Sequence, residues 1–126
     1  MKQIITMIIC IAIIVVGGIC EYKYFEKSSI FLSSDMDYIE NAIKNENYEL
    51  ANKQIEQTYN SWENTKTIWN IFISNEEIDY IDNAMAELKK YSEYEEQEES
   101  LVAVEKIKSN LQHTVKRQKL RIDNIL

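Results

Sequence analysis

The chain has 126 residues, a net charge of −7, no proline and only two glycines, which leaves it without the residues that most often interrupt helices. Its first twenty or so residues are strongly apolar, so roughly 100 remain for a folded domain, enough for one core. The acidic balance excludes nucleic-acid binding as a main role, because neutralising phosphates needs a broad basic face.

The N-terminal element is a run of 17 uncharged residues, Ile4 to Cys20, preceded by Lys2. It predicts a transmembrane helix of about 26 Å, slightly short of the ~30 Å hydrocarbon core of a bilayer. The positive charge before the run places the following domain on the extracytoplasmic side. We therefore expect a membrane anchor with its juxtamembrane segment over residues 1–27 and an extracytoplasmic helical domain over residues 28–126.

A cleavable signal peptide is the alternative to an anchor. The 13 residues from Ile4 to Val16 form an apolar stretch of suitable length, and Gly17 and Gly18 supply small residues for a cleavage site. The domain would then be secreted. Lipid attachment at Cys20 is disfavoured because Ile19, which is not small, precedes it. Both cysteines, Cys10 and Cys20, lie in this segment, so the domain itself can form no disulfide.

Serines mark the exit from the apolar segment, and Ser33 or Ser34 predicts the N-cap of a first helix. Its apolar residues recur at steps of three and four, and a polar connection of residues 45–47 follows. The second helix starts at Tyr48 and carries the longest stripe in the chain. The residues of that stripe are Tyr48, Ala51, Ile55, Thr58, Trp62, Thr65, Trp69 and Phe72.

Aromatic side chains dominate the second helix. We expect Trp62 and Trp69 to lie in the core. The candidate aromatic cluster consists of Tyr59, Trp62, Trp69 and Phe72. The alternative to core packing is that this cluster binds a small-molecule ligand. Tyr59 and three isoleucines widen the stripe toward its C-terminal half and predict that more than one neighbouring helix covers this end. The isoleucines are Ile68, Ile71 and Ile73.

A capping box, Ser74 to Glu77, begins the third helix. Its acidic residues outside the apolar stripe form a candidate interaction surface: Glu76, Glu77, Asp79 and Asp82. The acidic run from Glu93 to Glu99 predicts a solvated connection. A basic fourth helix then ends near Lys116, and the apolar C-terminal segment of residues 120–126 is expected to dock on the domain.

These elements predict an all-α fold: a transmembrane helix followed by two antiparallel helical hairpins, arranged as a four-helix bundle or a short solenoid. The segment Tyr38-Ile39-Glu40-Asn41-Ala42-Ile43 is echoed 42 residues later by Tyr80-Ile81-Asp82-Asn83-Ala84-Met85. Ala51 and Ile55 are likewise echoed by Ala103 and Ile107. The echoes suggest that the hairpins are repeats of one unit.

The sequence contains no recognisable catalytic constellation, and we expect no enzyme activity, cofactor or metal. The only histidine, His113, follows Asn110 rather than the glutamate of a di-iron site. Glycine is absent after Gly18, which excludes a phosphate-cradling loop, and the acidic cluster of residues 93–99 lacks the pattern of a calcium loop.

A set of aromatic, acidic and aliphatic residues in the second, third and last segments resembles a bacterial family catalogued as domain of unknown function 4363. The resemblance covers nearly the whole chain and implies a short Firmicutes protein with an N-terminal hydrophobic segment and a helical domain. No activity accompanies it. The residues are Trp62, Trp69 and Phe72, then Glu77-Ile78-Asp79-x-Ile81, and Leu120-x-Ile122-x-Asn124-Ile125-Leu126.

Charge is segregated along the chain: residues 35–99 carry a net charge of −12, and residues 100–126 carry +4. With a strong core, an anchor through Ile4 to Cys20 and no catalytic group, the sequence favours a membrane-tethered interaction module. Its partner would be another envelope protein or a second copy of the chain. The alternative is a sensory or small-molecule-binding helical bundle that acts through a partner.

Overall fold

The computed structural model describes residues 1–125, which form four helices. They are α1 (Lys2–Lys44), α2 (Tyr48–Phe72), α3 (Asn75–Glu93) and α4 (Gln97–Ile125). Short connections make successive helices antiparallel. Helix α1 packs against α2 and α4, and α3 packs against the same two helices, so the four close into one bundle. The all-α fold with two hairpins is confirmed, as a bundle rather than a solenoid.

Helix α1 runs without interruption through the predicted boundary between residues 27 and 28. The N-cap predicted at Ser33 or Ser34 is therefore wrong. The serines stay helical, and Ser28 Oγ donates a hydrogen bond to the carbonyl oxygen of Tyr24 at 2.7 Å. The core face of α1 likewise begins before the serines, at steps of four and three: Phe25, Ser29, Leu32, Met36, Ile39 and Ile43.

The N-terminal part of α1 projects beyond the other three helices. Its apolar window has no buried residue, and α1 is the one helix among the described residues that is long and apolar enough to cross a membrane. An exposed apolar helix of this length is what an anchor or a signal sequence requires. The predicted apolar N-terminal helix is thus present, joined to the bundle by continuous helical backbone.

Helix α4 begins earlier and ends later than the sequence pattern predicted. The acidic connection is only three residues long, Tyr94 to Glu96, and Gln97 already opens α4. The helix continues past Lys116 to Ile125, with Gln118 buried but Leu120 exposed. The C-terminal segment thus continues α4, and the expectation that it docks is wrong for Leu120; Leu126 lies outside the described residues.

The two hairpins have matching turns, which lie at the end of the bundle opposite the apolar segment. After α1, Glu46 N–H donates to Ile43 O at 3.0 Å and Asn47 N–H donates to Ala42 O at 2.9 Å. After α3, residues 95 and 96 repeat this pair of bonds at 3.1 and 2.9 Å. Both are Schellman motifs, and each holds a glutamate rather than glycine at positive φ: Glu46 at 56° and Glu95 at 57°.

The residues of the sequence echoes occupy equivalent environments. Every aliphatic or alanine position of the two echoes is buried, on α1 and α3 for one echo and on α2 and α4 for the other. Equal burial explains why similar residues recur, since both hairpins contribute to one core. That the hairpins are repeats of one unit stays a hypothesis. The buried echo positions are Ile39, Ala42, Ile43, Ala51, Ile55, Ile81, Ala84, Met85, Ala103 and Ile107.

Candidate functional site: a groove between α1 and α4

An open groove of about 610 Å³ lies between the outer sides of α1 and α4. It begins at Tyr22, two residues beyond the apolar segment, and extends along α1 to Asp37. The groove is lined by apolar, hydroxyl-bearing and charged side chains. Its lining residues are Tyr22, Glu26, Ser29, Ile30, Ser33, Ser34 and Asp37 of α1, and Gln112, Val115, Lys116 and Lys119 of α4.

Small side chains on α1 create the groove. Ser29, Ser33 and Ser34 follow one side of the helix, where larger residues would fill the space toward α4. Ile30 stands at the edge of this row with 62% of its surface exposed. The result is a trough with a small-residue floor and an exposed apolar edge.

Charged residues flank the groove with opposite signs. On the α1 side, Asp37 pairs with Lys108, which also lies 3.4 Å from Glu40. The hydrogen bond with Asp37 raises the pKa of the Lys108 ammonium, so this end of the groove is fixed by a charged contact across the two helices. On the α4 side, Lys116 and Lys119 form no ion pair with the described residues. The groove therefore offers free positive charge along α4.

The predicted aromatic cluster is divided by the structure. Trp62 and Trp69 meet edge to face with ring centroids 5.5 Å apart, and both have no exposed surface. Phe72 is partly exposed at the end of α2, and Tyr59 lies on the α3 side beneath Lys89 at 5.7 Å. The expected burial of the tryptophans is confirmed.

Sequence reasoning missed Phe25, the ring that completes this cluster. Its centroid lies 4.8 Å from that of Trp69 and 6.1 Å from that of Phe72. The signal was available, because Phe25 continues the four-three spacing of the α1 core face toward the N-terminus. Because the rings pack on one another, a small molecule could reach Trp62 or Trp69 only after the helices separate.

The four carboxylates of the predicted interaction surface have different surroundings. Asp82 accepts a hydrogen bond from Trp62 Nε1 at 2.7 Å and lies 3.3 Å from Lys66 Nζ, so it joins α3 to α2. Glu77 pairs with Arg117 of α4. Glu76 and Asp79 remain exposed. Two of the four acids thus serve the bundle, and two are available at the surface.

Ionic contacts around Lys66 reinforce the α2–α3 contact. The Lys66 ammonium donates to Glu63 at 2.9 Å as well as to Asp82. The hydrogen bond with Glu63, and then that with Asp82, raises the pKa of Lys66 despite partial burial. The Lys66 ammonium consequently stays charged throughout the neutral range and loses its proton only at strongly basic pH.

The groups around the groove can bind apolar, hydrogen-bonding and anionic groups. Hydroxyls, aliphatic side chains and ammonium groups line it, and within residues 1–125 no group of three His, Cys, Asp or Glu side chains is placed to hold a metal ion. His113 is exposed on α4 and is not among the lining residues. The arrangement can hold an apolar, partly acidic surface against α1 and α4.

Comparison with known proteins yields a family without an assigned role. The model of the family described as "Domain of unknown function (DUF4363)" matches residues 19–125. The match covers all four helices of the bundle but begins near the end of the apolar segment. No curated protein and no solved structure matches the chain.

Proposed function

This chain belongs to the DUF4363 family, and we propose that it is a membrane-tethered interaction module whose α1–α4 groove binds a helix of another envelope protein. The module acts by holding its partner, without catalysing a reaction. The groove itself carries the proposal: it is a preformed trough that starts where α1 leaves its apolar segment.

The direction and length of the groove indicate what fits in it. From Tyr22 to Asp37 it follows α1 for about 22 Å, or roughly four helical turns. Its lower end lies just above the end of the apolar segment. A helix that leaves the same membrane beside α1 would therefore enter the groove at its base and run along it, as in helix-in-groove recognition.

The chemistry of the lining favours an amphipathic partner with acidic residues. The serines of α1 allow a second helix to approach closely, and Ile30 and Val115 offer apolar surface to its buried face. Lys116 and Lys119 attract carboxylates on the flank that faces α4. We expect the affinity to fall as salt concentration rises, because these lysines lie at the solvent-exposed edge.

The proposed location is the cell membrane, with the bundle on the extracytoplasmic side and α1 retained as a single-pass anchor. Lys2 and the terminal amine before the apolar segment support this orientation. In intact cells, a Tyr94→Cys variant should react with a membrane-impermeant maleimide, since Tyr94 is exposed at the distal end. Reaction only after lysis would show that the bundle lies on the cytoplasmic side. A product shortened near Gly18 in the medium would establish secretion.

Photo-crosslinking in native membranes tests the groove. A photoreactive phenylalanine at Ile30 should capture a membrane protein that carries a juxtamembrane helix. The matched control is Val102, which is 55% exposed on α4 but lies outside the groove. Equal adducts at both positions would contradict a specific groove. Adducts at Ile30 with twice the mass of this chain would show that the partner is a second copy of the chain and not another protein.

A further inference from the structure

The end of α2, at the α2–α3 turn, carries the most exposed large apolar side chain of the bundle among the residues whose burial the structure describes. Ile71 is 73% exposed, and its neighbours Ile68 and Phe72 are exposed as well. The sequence predicted that further helices would cover this end of α2, and that prediction is wrong for these residues. The nine residues from Thr67 to Asn75 are also uncharged. An apolar tip of this kind needs a cover other than α1, α3 or α4.

The turn lies at the membrane-proximal end of the bundle. Phe25 of α1 contacts Trp69 of α2, and in an antiparallel pair each further residue along α2 moves one residue back along α1. Phe72 is therefore level with Tyr22. That level lies about 3 Å beyond Cys20, the last residue of the apolar segment.

The length of the apolar segment places this level at the edge of the bilayer. Its 17 residues span about 26 Å, some 4 Å less than a typical hydrocarbon core of ~30 Å. Hydrocarbon or the headgroup layer, which adds roughly 5–7 Å on each side, therefore reaches the level of Tyr22. Ile71 and Phe72 stand at that height beside α1.

The two turns at the opposite end have the contrary chemistry. The α1–α2 turn contains Glu46, and the α3–α4 turn contains Glu95 and Glu96. Acidic turns suit water and are repelled by anionic lipids, whereas an uncharged isoleucine and phenylalanine tip suits the membrane interface. The uncharged tip, which is followed by Glu76 and Glu77 in the first turn of α3, is thus the apolar point at the anchor end of the bundle.

We propose that the α2–α3 turn inserts Ile71 and Phe72 into the interfacial layer of the bilayer, giving the bundle a second membrane contact beside α1. This inference rests on the proposed function in one respect, that α1 remains in the membrane. The two contacts together fix the tilt of the bundle as well as its height, so the groove faces partners in the same membrane at a constant angle.

Cysteine accessibility in lipid nanodiscs tests the contact, with one chain per disc and both bilayer faces open to reagent. Three full-length single-cysteine chains are compared: Ile71→Cys and Tyr94→Cys, each with Cys10→Ser and Cys20→Ser, and a chain that retains Cys10 with Cys20→Ser. Ile71 and Tyr94 are matched, with 73% and 71% of their surfaces exposed in the protein. The probe is a water-soluble maleimide.

Reaction at position 71 should be at least about tenfold slower than at position 94, since the reagent is excluded from the apolar layer, and Cys10 should be protected. Equal rates at 71 and 94 with Cys10 protected would overturn the second contact and leave the anchor in place. Cys10 reacting as fast as position 94 would overturn both. Protection of position 71 only in discs with two chains would assign the tip to a second copy.

Discussion

At the scale of single residues, the Asp82 carboxylate determines whether a buried indole keeps its hydrogen bond. Trp62 has no exposed surface, and its Nε1–H donates to Asp82 across the α2–α3 contact. A buried donor that loses its acceptor costs about 1–3 kcal/mol, because water cannot replace the bond. Trp69 Nε1, by contrast, has no hydrogen-bond partner among the described residues. Trp62 is therefore held by a hydrogen bond as well as by packing, whereas Trp69 is held by packing.

We expect Asp82→Ala to lower the free energy of unfolding by about 2 kcal/mol, since it leaves Trp62 Nε1 unpaired and removes a partner of Lys66. Asp79→Ala is the matched control: it removes an exposed carboxylate from the same helix and should change stability by less than about 0.5 kcal/mol. Denaturant titration of the full chain in detergent, followed by tryptophan fluorescence, measures both. Equal stabilities of the two variants would contradict the role of Asp82.

Asp35 is the residue for which structure predicts an unusual dependence on pH. Its carboxylate accepts a hydrogen bond from the Thr58 hydroxyl at 3.1 Å, which lowers its pKa, but burial has the larger effect and raises the pKa above the ordinary 3.8. The folded state therefore binds this proton more tightly than the unfolded state. The contribution of Asp35 to stability is largest below pH 3.8 and decreases as pH rises through the folded-state pKa.

Asp35→Asn should consequently be more stable than the natural chain at pH 7, because the amide oxygen still accepts from Thr58 and no buried charge remains. The difference should shrink as the pH falls through the raised folded-state pKa of Asp35, because the carboxyl group of the natural chain is then protonated as well. Melting temperatures of both proteins at a series of pH values test this. A variant that is less stable at pH 7 would show that the ionised carboxylate is needed.

At the scale of helices, the sequence predicts the elements whose ends carry a specific signal. Ser74 predicts the start of α3, and its Oγ accepts from Glu77 N–H at 3.4 Å as expected. The carboxylate of Glu77 pairs with Arg117 instead of closing the capping box. The four-three spacing predicts the core face of α2, and Trp62 and Trp69 lie on it. Local pattern was sufficient wherever a cap or a long stripe was present.

The same reasoning failed where serine has two roles. Serines resemble an N-cap, yet Ser28 bonds back to the preceding turn and Ser29 is buried between helices, so α1 continues through them. The groove was missed for the same reason, because its serines were assigned to the exit from the apolar segment and to an N-cap. An apolar stripe also indicates that a helix face is covered, but it does not indicate whether another helix or lipid covers it. For this reason the end of α2 was wrongly predicted to lie under neighbouring helices.

The two Schellman turns supply a prediction about elements. Glu46→Gly and Glu95→Gly should each stabilise the protein by about 1 kcal/mol, because glycine adopts positive φ without the steric cost of a side chain. Glu105→Gly makes the same exchange in the exposed interior of α4 and should destabilise by about 1 kcal/mol. Thermal unfolding monitored by circular dichroism would reveal the opposite signs. Destabilisation by all three would show that the glutamate side chains contribute to the turns.

At the scale of the whole molecule, α1 belongs to both the apolar segment and the bundle. Phe25 packs on Trp69 only a few residues beyond Cys20, and Glu21 lies 3.6 Å from Arg121 near the end of α4. The core thus reaches almost to the apolar segment. A hinge between them would have to break helical hydrogen bonds and withdraw Phe25 from its aromatic neighbours.

Lys27→Pro should therefore destabilise the bundle by about 3 kcal/mol, because proline removes a hydrogen bond and kinks α1 immediately beside Phe25. Lys27→Ala is the control, since Lys27 is exposed and alanine keeps the helix intact. Tryptophan fluorescence during thermal unfolding distinguishes the two. Equal stability of both variants would indicate a flexible joint at this position. It would support the domain boundary predicted between residues 27 and 28.

A continuous α1 also transmits rotation. Each residue inserted after Cys20 would turn the bundle by about 100° around the helix axis and raise it by 1.5 Å. Four inserted residues would restore the azimuth to within about 40°, and seven would restore it to within about 20° while lifting the bundle by roughly 10 Å. Binding of a membrane partner in the groove should therefore depend on the azimuth of the bundle. It should fail after two inserted residues and recover partly after four. Such a pattern would distinguish the effect of the azimuth from the effect of the height above the membrane.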